Sequence, residues 1–370
     1  MSARSNVVSK ADRSRRRVLA GLGGLALGST TAGCLGRDFT GSDSNRTIVD
    51  HFGREVTVPE TVETVASYSP TILWTFTILG VQNKVIGITS GDTSEAFPKM
   101  RDVPVIGGGP NMNIEKIADL EPDLLFNREG GENAVDELDS LQEQFAEFDI
   151  SVIGIDDRGL DPSWMQLLEE VLDEEGGFND FLEWREEQLS RVEDGVSSLS
   201  SDERVSVLYE RDYDPWEVQH DEPIEVAGGH NVMKEFASEE QLAEFRQISV
   251  DPERIIELDP DVAIKENAPG GARPLGWTGD DEAAIAATHK EMILDRSESD
   301  LISAWQNDEV YLVDYALMSG DKNWLGVLYL AKLFYPELFD DLDPVAVNEQ
   351  YHEEWLGTEF RGTYLYPSIE

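Results

Sequence analysis

Residues 114–126 read IEKIADLEPDLLF, and residues 252–264 read PERIIELDPDVAI. Glu, Ile, Leu, Pro and Asp recur at matching places, at an offset of 138 residues. Each copy reads as one unit. A Glu lies in the first turn of a short helix, where its charge complements the positive end of the helix dipole. Apolar residues spaced three apart form a buried stripe. Pro then stops the helix, because it cannot continue the hydrogen-bond ladder, and an apolar run of strand character follows. Two such units imply two similar lobes, each presenting a Glu at an equivalent surface position (Glu115 and Glu253).

Working outward, strand-like runs alternate with helical ones, as in α/β lobes with mostly parallel sheets. IVDHFGREVTVP predicts a hairpin around Phe52-Gly53-Arg54. TVASYSP, VIGIT, residues 123–126 and residues 150–155 predict strands, with an acidic amphipathic helix over 132–148. Residues 161–199 are helical in pattern, broken near Gly176-Gly177. The stretch 178–199 would form one helix of about 33 Å, a stiff connector. VSVLY (205–209) opens the second lobe. A helix near 231–237, the second repeat unit, strand VYLVD (310–314), helix NWLGVLYLAKLF ended by Pro336 and a helix over 344–356 follow. The aromatic tail RGTYLYPSIE is expected to pack back on the lobe, and residues 268–282 form a Gly/Pro-rich loop.

The N-terminus reads as an export signal. Ser14-Arg15-Arg16-Arg17-Val18-Leu19 fits a twin-arginine pattern, an apolar stretch runs to Ala32, and Thr31-Ala32-Gly33-Cys34 resembles a lipobox. Cys34, the only cysteine, is the expected lipidation site, so no disulfide is expected despite export. The expected organisation is a signal over 1–33, a tether over 34–46, an N-terminal lobe over 47–160, a connecting helical segment over 161–200 and a C-terminal lobe over 201–370.

The whole chain carries 29 Lys+Arg against 75 Asp+Glu. Removing the leader leaves 23 basic and 74 acidic residues, −51 net. Such a field disfavours nucleic acid and anionic membranes as partners. The acids are spread through the whole chain, which favours a salt-adapted surface over a specific cation site. At molar salt the screening length is about 3 Å.

Motifs for catalysis are missing: there is no Gly-x-Ser-x-Gly elbow, P-loop or HExxH. Gly107-Gly108-Gly109 lacks dinucleotide-binding spacing. The five histidines are dispersed; His220 and His230 with an acid would be the one conceivable metal set, and surface or core histidines are the default. No catalytic residue, metal or cofactor is expected. In open α/β sheets, ligands collect at the carboxyl ends of strands. That rule selects Tyr68 with Ser69 and Asn127 with Arg128 in the first lobe, and Tyr209, Glu210, Arg211, Lys265 and Tyr315 in the second. Arg128, Arg211 and Lys265 directly follow strands and would make a locally positive cleft for an anion, unless acidic neighbours pair with them. Trp74 and Trp216 lie near the same ends, where they would either stack on a ligand or pack in the core.

The order of these elements resembles the ABC-transporter substrate-binding proteins of the ferric-siderophore and cobalamin type. The residues that carry the likeness are DHFGREVTVPETVETVASYSPTILWTFTILGVQNKVIGI, VPVIGGGPNMNIEKIADLEPDLLF and VYLVDYALMSGDKNWLGVLYLAKLFYPELF. The resemblance implies two Rossmann-like lobes joined by one long rigid helix, a periplasmic-binding-protein fold with a helical backbone. It implies capture of an iron(III) chelate or a corrinoid between the lobes and delivery to a permease dimer with its ATPase. It gives Glu115 and Glu253 the role of docking contacts for Arg-containing pockets on that permease. The leader places these lobes on the extracellular face of the membrane, held by the lipid alone, and a monomer is expected. Two other readings stay open: a receptor for a bare metal ion or an oxyanion such as molybdate, and a metal-chelatase-like enzyme on a related fold.

Overall fold

The structure, a computed structural model, describes residues 44–369 apart from 70, 90–96, 173–177, 211–215, 239–240, 243–246, 267–274, 278–281, 295 and 297. The twin-arginine leader, Cys34 and most of the expected tether therefore lie outside the described residues. The first strand, β1 (Asn45–Val49), begins within the last residues of that tether and pairs antiparallel with β2 (Glu55–Pro59). This is the expected hairpin.

The N-terminal half carries β3 (Val65–Tyr68), α1 (Leu73–Ile78), β4 (Val85–Ile88) and a two-rung hairpin of β5 (Gly107–Gly108) with β6 (Asn111–Met112). It continues with α2 (Ile114–Leu120), β7 (Leu124–Arg128), α3 (Ala134–Phe145) and β8 (Ser151–Ile155). Its main sheet has the order β4-β3-β7-β8, all parallel. α4 (Ser163–Leu172) and α5 (Phe178–Val196) follow. The 19 residues of α5 span about 28 Å at 1.5 Å per residue. The helix stops three residues short of the expected end because Ser200 is committed to the next turn. Its backbone N–H and hydroxyl both donate to Glu203 in a capping box.

The C-terminal half carries β9 (Ser206–Glu210), β10 (Glu217–Gln219), α6 (Glu222–Val226), β11 (His230–Asn231), β12 (Gln247–Ser249), α7 (Pro252–Leu258) and β13 (Val262–Lys265). After these come α8 (Glu282–Leu294), α9 (Ser303–Gln306), β14 (Val310–Val313), α10 (Asn323–Phe334), α11 (Pro344–Gln350) and β15 (Leu365–Tyr366). Strands β11, β9, β13 and β14 are mutually parallel and reproduce the four-stranded arrangement of the first half. Antiparallel β10, β12 and β15 extend the sheet, and β15 is the aromatic tail packing back as expected.

Two expected helices differ. At 231–237 the chain forms β11 and then a short 3-10 turn, Val232–Glu235. Asn231 explains this: its side chain accepts from Met233 N at 2.9 Å and donates to Gln219 O at 2.7 Å, competing with a helical start. The helix expected over 344–356 is α-helical only to Gln350, then widens into a π turn, Tyr351–Trp355, that buries Tyr351 and His352.

Alternation along the central strands divides the apolar residues between two faces, as period two requires. Leu124 and Phe126 of β7 and Val262 and Ile264 of β13 join one core that runs through α4, α5 and α10 from one half to the other. Leu125 faces a separate core under α2 and α3, and Ala263 one under α7 and α8. Helix α10 is buried at every position but Leu333, as a helix apolar all round should be.

Candidate functional site

The two repeat units fold alike. Asn113 caps α2 by accepting from Lys116 N, and Asp251 caps α7 by accepting from Glu253 N, both at 2.9 Å. Each helix ends on an acidic residue in the left-handed region, Glu121 at φ 50° and Asp259 at φ 48°. The Asp after each Pro then anchors the neighbouring strand. Asp123 accepts from Glu63 N and Thr64 N at 2.8 and 2.9 Å, and Asp261 accepts from Ser206 N at 2.9 Å. Glu115 and Glu253 both occupy the second helical position and both are exposed.

At the strand ends of the N-terminal half, Tyr68 pairs in register with Asn127. These two, with Gly109, Pro110, Arg128 and Glu129, line a cavity of about 400 Å³ that Glu137 and Gln144 also border. Tyr68 donates its hydroxyl proton to Gly109 O at 2.9 Å, and Asn127 donates to Glu129 at 2.8 Å. Burial pushes the Glu129 carboxyl up, and nearby Glu137 adds to this against the opposing effect of Asn127.

Arg128 is the pivotal side chain. Its Nε lies 2.5 Å from the fully buried Asp157, which also accepts from Ser69 and Thr71. Its Nη1 reaches the Tyr315 hydroxyl at 3.4 Å and its Nη2 the Ser319 hydroxyl at 3.0 Å, across to the other half. Burial works against the Arg128 charge, but Asp157 and Tyr315 more than offset it and hold the guanidinium above its ordinary pKa.

The strand ends of the C-terminal half are built differently. Glu210 pairs in register with Lys265, and their charged groups meet at 3.1 Å with both side chains buried. Arg296 closes on the same carboxylate with two bonds of 3.1 and 2.7 Å, and Trp216 N donates to it at 2.6 Å. Burial would raise the Glu210 pKa, yet Lys265 and Arg296 hold it below the usual range. Trp216 is buried at φ 68°, with the Arg296 guanidinium 4.7 Å from its ring centroid. Tyr209 is buried and donates to Glu266. Lys265, Trp216 and Tyr209 are thus inner parts of a self-neutralised cluster. Arg211 lies outside the described residues.

Between the halves runs a seam that the sequence reading did not single out. Asp321 accepts from Thr75 N at 3.1 Å, and Asn323 donates to Gly159 O at 2.8 Å. Gly320, at φ 90°, packs so closely on Thr71 that a side chain there would collide with it. The Lys322 ammonium sits 3.5 Å from the Trp74 ring centroid and 3.2 Å from His352 Nε2. Trp74 also packs edge-on against Phe97, with ring centroids 4.4 Å apart. Burial pushes Asp321 up and Lys322 down. Burial and the Lys322 charge push His352 down to about 2, so its ring is neutral. The legible signal was GDKN, a charged group placed directly before the most apolar helix of the chain. Among the described residues, no group of three or more His, Cys, Asp or Glu could hold a metal ion. His230 is instead bonded to Glu235 at 2.9 Å.

Residues 65–316 match the profile of a family described as periplasmic binding proteins. The ABC transporter substrate-binding lipoprotein YvrC of Bacillus subtilis (strain 168) is 26% identical over 312 residues, covering 80% of this chain and 87% of its own length. The TroA-like periplasmic binding protein FepB from Veillonella parvula superposes with a TM-score of 0.69 at 20% identity, over 86% of this chain and 98% of its own. The Haemophilus influenzae molybdate periplasmic binding protein MolA, solved with molybdate bound, gives a TM-score of 0.65 at 18% identity, over 86% and 99%. At these identities the structural likenesses speak for the fold.

Proposed function

The chain belongs to the periplasmic binding protein family, and from that premise we propose that it captures an iron(III)-siderophore-type chelate, or cobalamin, and delivers it to an ABC permease dimer with its ATPase. The observation that carries this reading is the cavity of about 400 Å³ at the strand ends of the N-terminal half. Ligand pockets run from about 300 to 1,000 Å³, and a bare metal ion or a small oxyanion needs far less room. Tyr68 offers an aromatic wall, Asn127 an amide and Arg128 a guanidinium. The raised pKa of Glu129 lessens the negative charge that an anionic chelate would meet in the same cavity. The oxyanion alternative has one observation in its favour, the fold likeness to MolA.

Glu115 and Glu253, exposed at matched helix positions, are the docking contacts in this reading. The protein would act as a monomer, exported by the twin-arginine route and held outside the cell by a lipid on Cys34. It would perform no catalysis and need no cofactor or nucleic acid. The lipoprotein YvrC is consistent with that anchorage.

Tryptophan-fluorescence titration in molar KCl tests the ligand. A ferric tricatecholate, a ferric tris-hydroxamate or cyanocobalamin should bind at micromolar concentration or below. Response to Zn²⁺ or molybdate alone would overturn the reading. Glu115→Ala combined with Glu253→Ala should abolish uptake in reconstituted vesicles with ligand affinity unchanged; normal uptake would reduce both residues to helix-terminal charges.

A further inference from the structure

Five consecutive residues, Ser319 to Asn323, touch four different parts of the N-terminal half. Their bonds differ in burial. Asp321 is 3% exposed and its partner Thr75 is fully buried, whereas the bonds of Asn323 to Gly159 and of Ser319 to Arg128 are buried only at the Asn323 and Ser319 ends, each 2% exposed. Breaking the Asp321–Thr75 contact would strand buried polar groups at the full desolvation cost. The Arg128 side chain is instead 20% exposed and lines the cavity. Its bonds to Ser319 and Tyr315 go to neutral hydroxyls. A guanidinium pairs with an anion through two parallel bonds between opposite charges, which a neutral hydroxyl cannot match. Asp157 would stay on Nε through the exchange, so the guanidinium would keep its anchor while its outer edge changed partner.

We infer that Ser319 and Tyr315 hold Arg128 as a releasable latch between the halves, and that an anionic ligand enters by taking over those two bonds while the buried contact of Asp321 with Thr75 acts as the fixed pivot. This rests on the ligand reading above for the chemistry of the entering group, but the latch itself rests on the bonds. Small movement about a fixed pivot also agrees with the shared core through α4, α5 and α10, which resists a wide hinge swing.

The test uses the full chain with Cys34→Ser and spin labels on cysteines placed at the exposed positions Glu143 and Glu291, one in each half. Without added ligand, Ser319→Ala with Tyr315→Phe should broaden the label-to-label distance distribution measured by pulsed electron resonance. The same variant should bind ferric tricatecholate roughly five- to 150-fold more tightly, since two internal bonds worth about 0.5–1.5 kcal/mol each no longer compete. Ser319→Thr, which keeps a hydroxyl, should restore wild-type behaviour when paired with native Tyr315. An unchanged distance distribution, or weaker chelate binding in the double variant, overturns the latch. A broadened distribution with no response to any chelate keeps the latch and overturns the ligand reading instead.

Discussion

The two halves use the same strand-end positions in opposite ways. The 138-residue offset makes Asn127 the counterpart of Lys265 and Arg128 that of Glu266, and strand register makes Tyr68 the counterpart of Glu210. In the first half the register pair is Tyr68 with Asn127, both uncharged, and it borders open space. In the second half the pair is Glu210 with Lys265, and the same place is filled by a buried ion cluster roofed by Arg296 and Trp216. One half thus leaves its strand ends open to a cavity, and the other spends its charges on its own interior. Basic residues at strand ends are therefore poor evidence of a positive cleft until their partners are known. Both described members of the proposed trio are paired, Arg128 with Asp157 and Lys265 with Glu210.

The largest effect that this difference predicts is on stability. Glu210→Leu leaves Lys265 and Arg296 facing each other in a dry site, and removing one partner of a buried ion cluster costs about 3–5 kcal/mol. Urea unfolding should show that loss. A loss under about 1 kcal/mol would mean that the cluster is wetter or more plastic than its burial implies. A smaller effect separates the two anchoring aspartates. Asp123 takes two backbone donors and the Thr64 hydroxyl, whereas Asp261 takes the Ser206 amide. Asp123→Ala should cost about 1–2 kcal/mol and Asp261→Ala less than about 1, on the scale of hydrogen bonds to charged groups discounted for exposure. Equal losses would make the two units energetically interchangeable.

Much of the fold was legible because its signals are local. The repeat units carry their own start, stop and strand signals, and each folds as expected; the left-handed acidic residue before Pro122 and Pro260 is a detail that the structure adds. The long helix α5 and the buried helix α10 follow from periodicity and composition. The misread segments are those where side-chain bonds outweigh pattern. Asn231 diverts a helix-like stretch into a strand, and the π turn at Tyr351 follows a regular helix without a local breaker. In the candidate site, sequence reasoning reached Tyr68, Arg128 and Tyr315 through the strand-end rule, and the structure brings Arg128 and Tyr315 together. Asp157 and Ser319 were missed because their importance depends on contacts 29 and 191 residues away in the chain, to Arg128. Trp74 was reached, but its ring is occupied by Lys322, a partner that no spacing rule connects to it.

The central claim is that the ligand sits on the N-terminal strand ends, against Arg128, and that the C-terminal cluster keeps its own ion pairs. The most direct test is an iron-edge anomalous difference map of crystals grown with ferric tricatecholate. The account predicts a single iron peak over the cavity bordered by Tyr68, Asn127 and Arg128, with the Glu210–Lys265–Arg296 cluster intact. A peak over Lys265 with that cluster opened, and Arg128 still bonded to Ser319 and Tyr315, would contradict it.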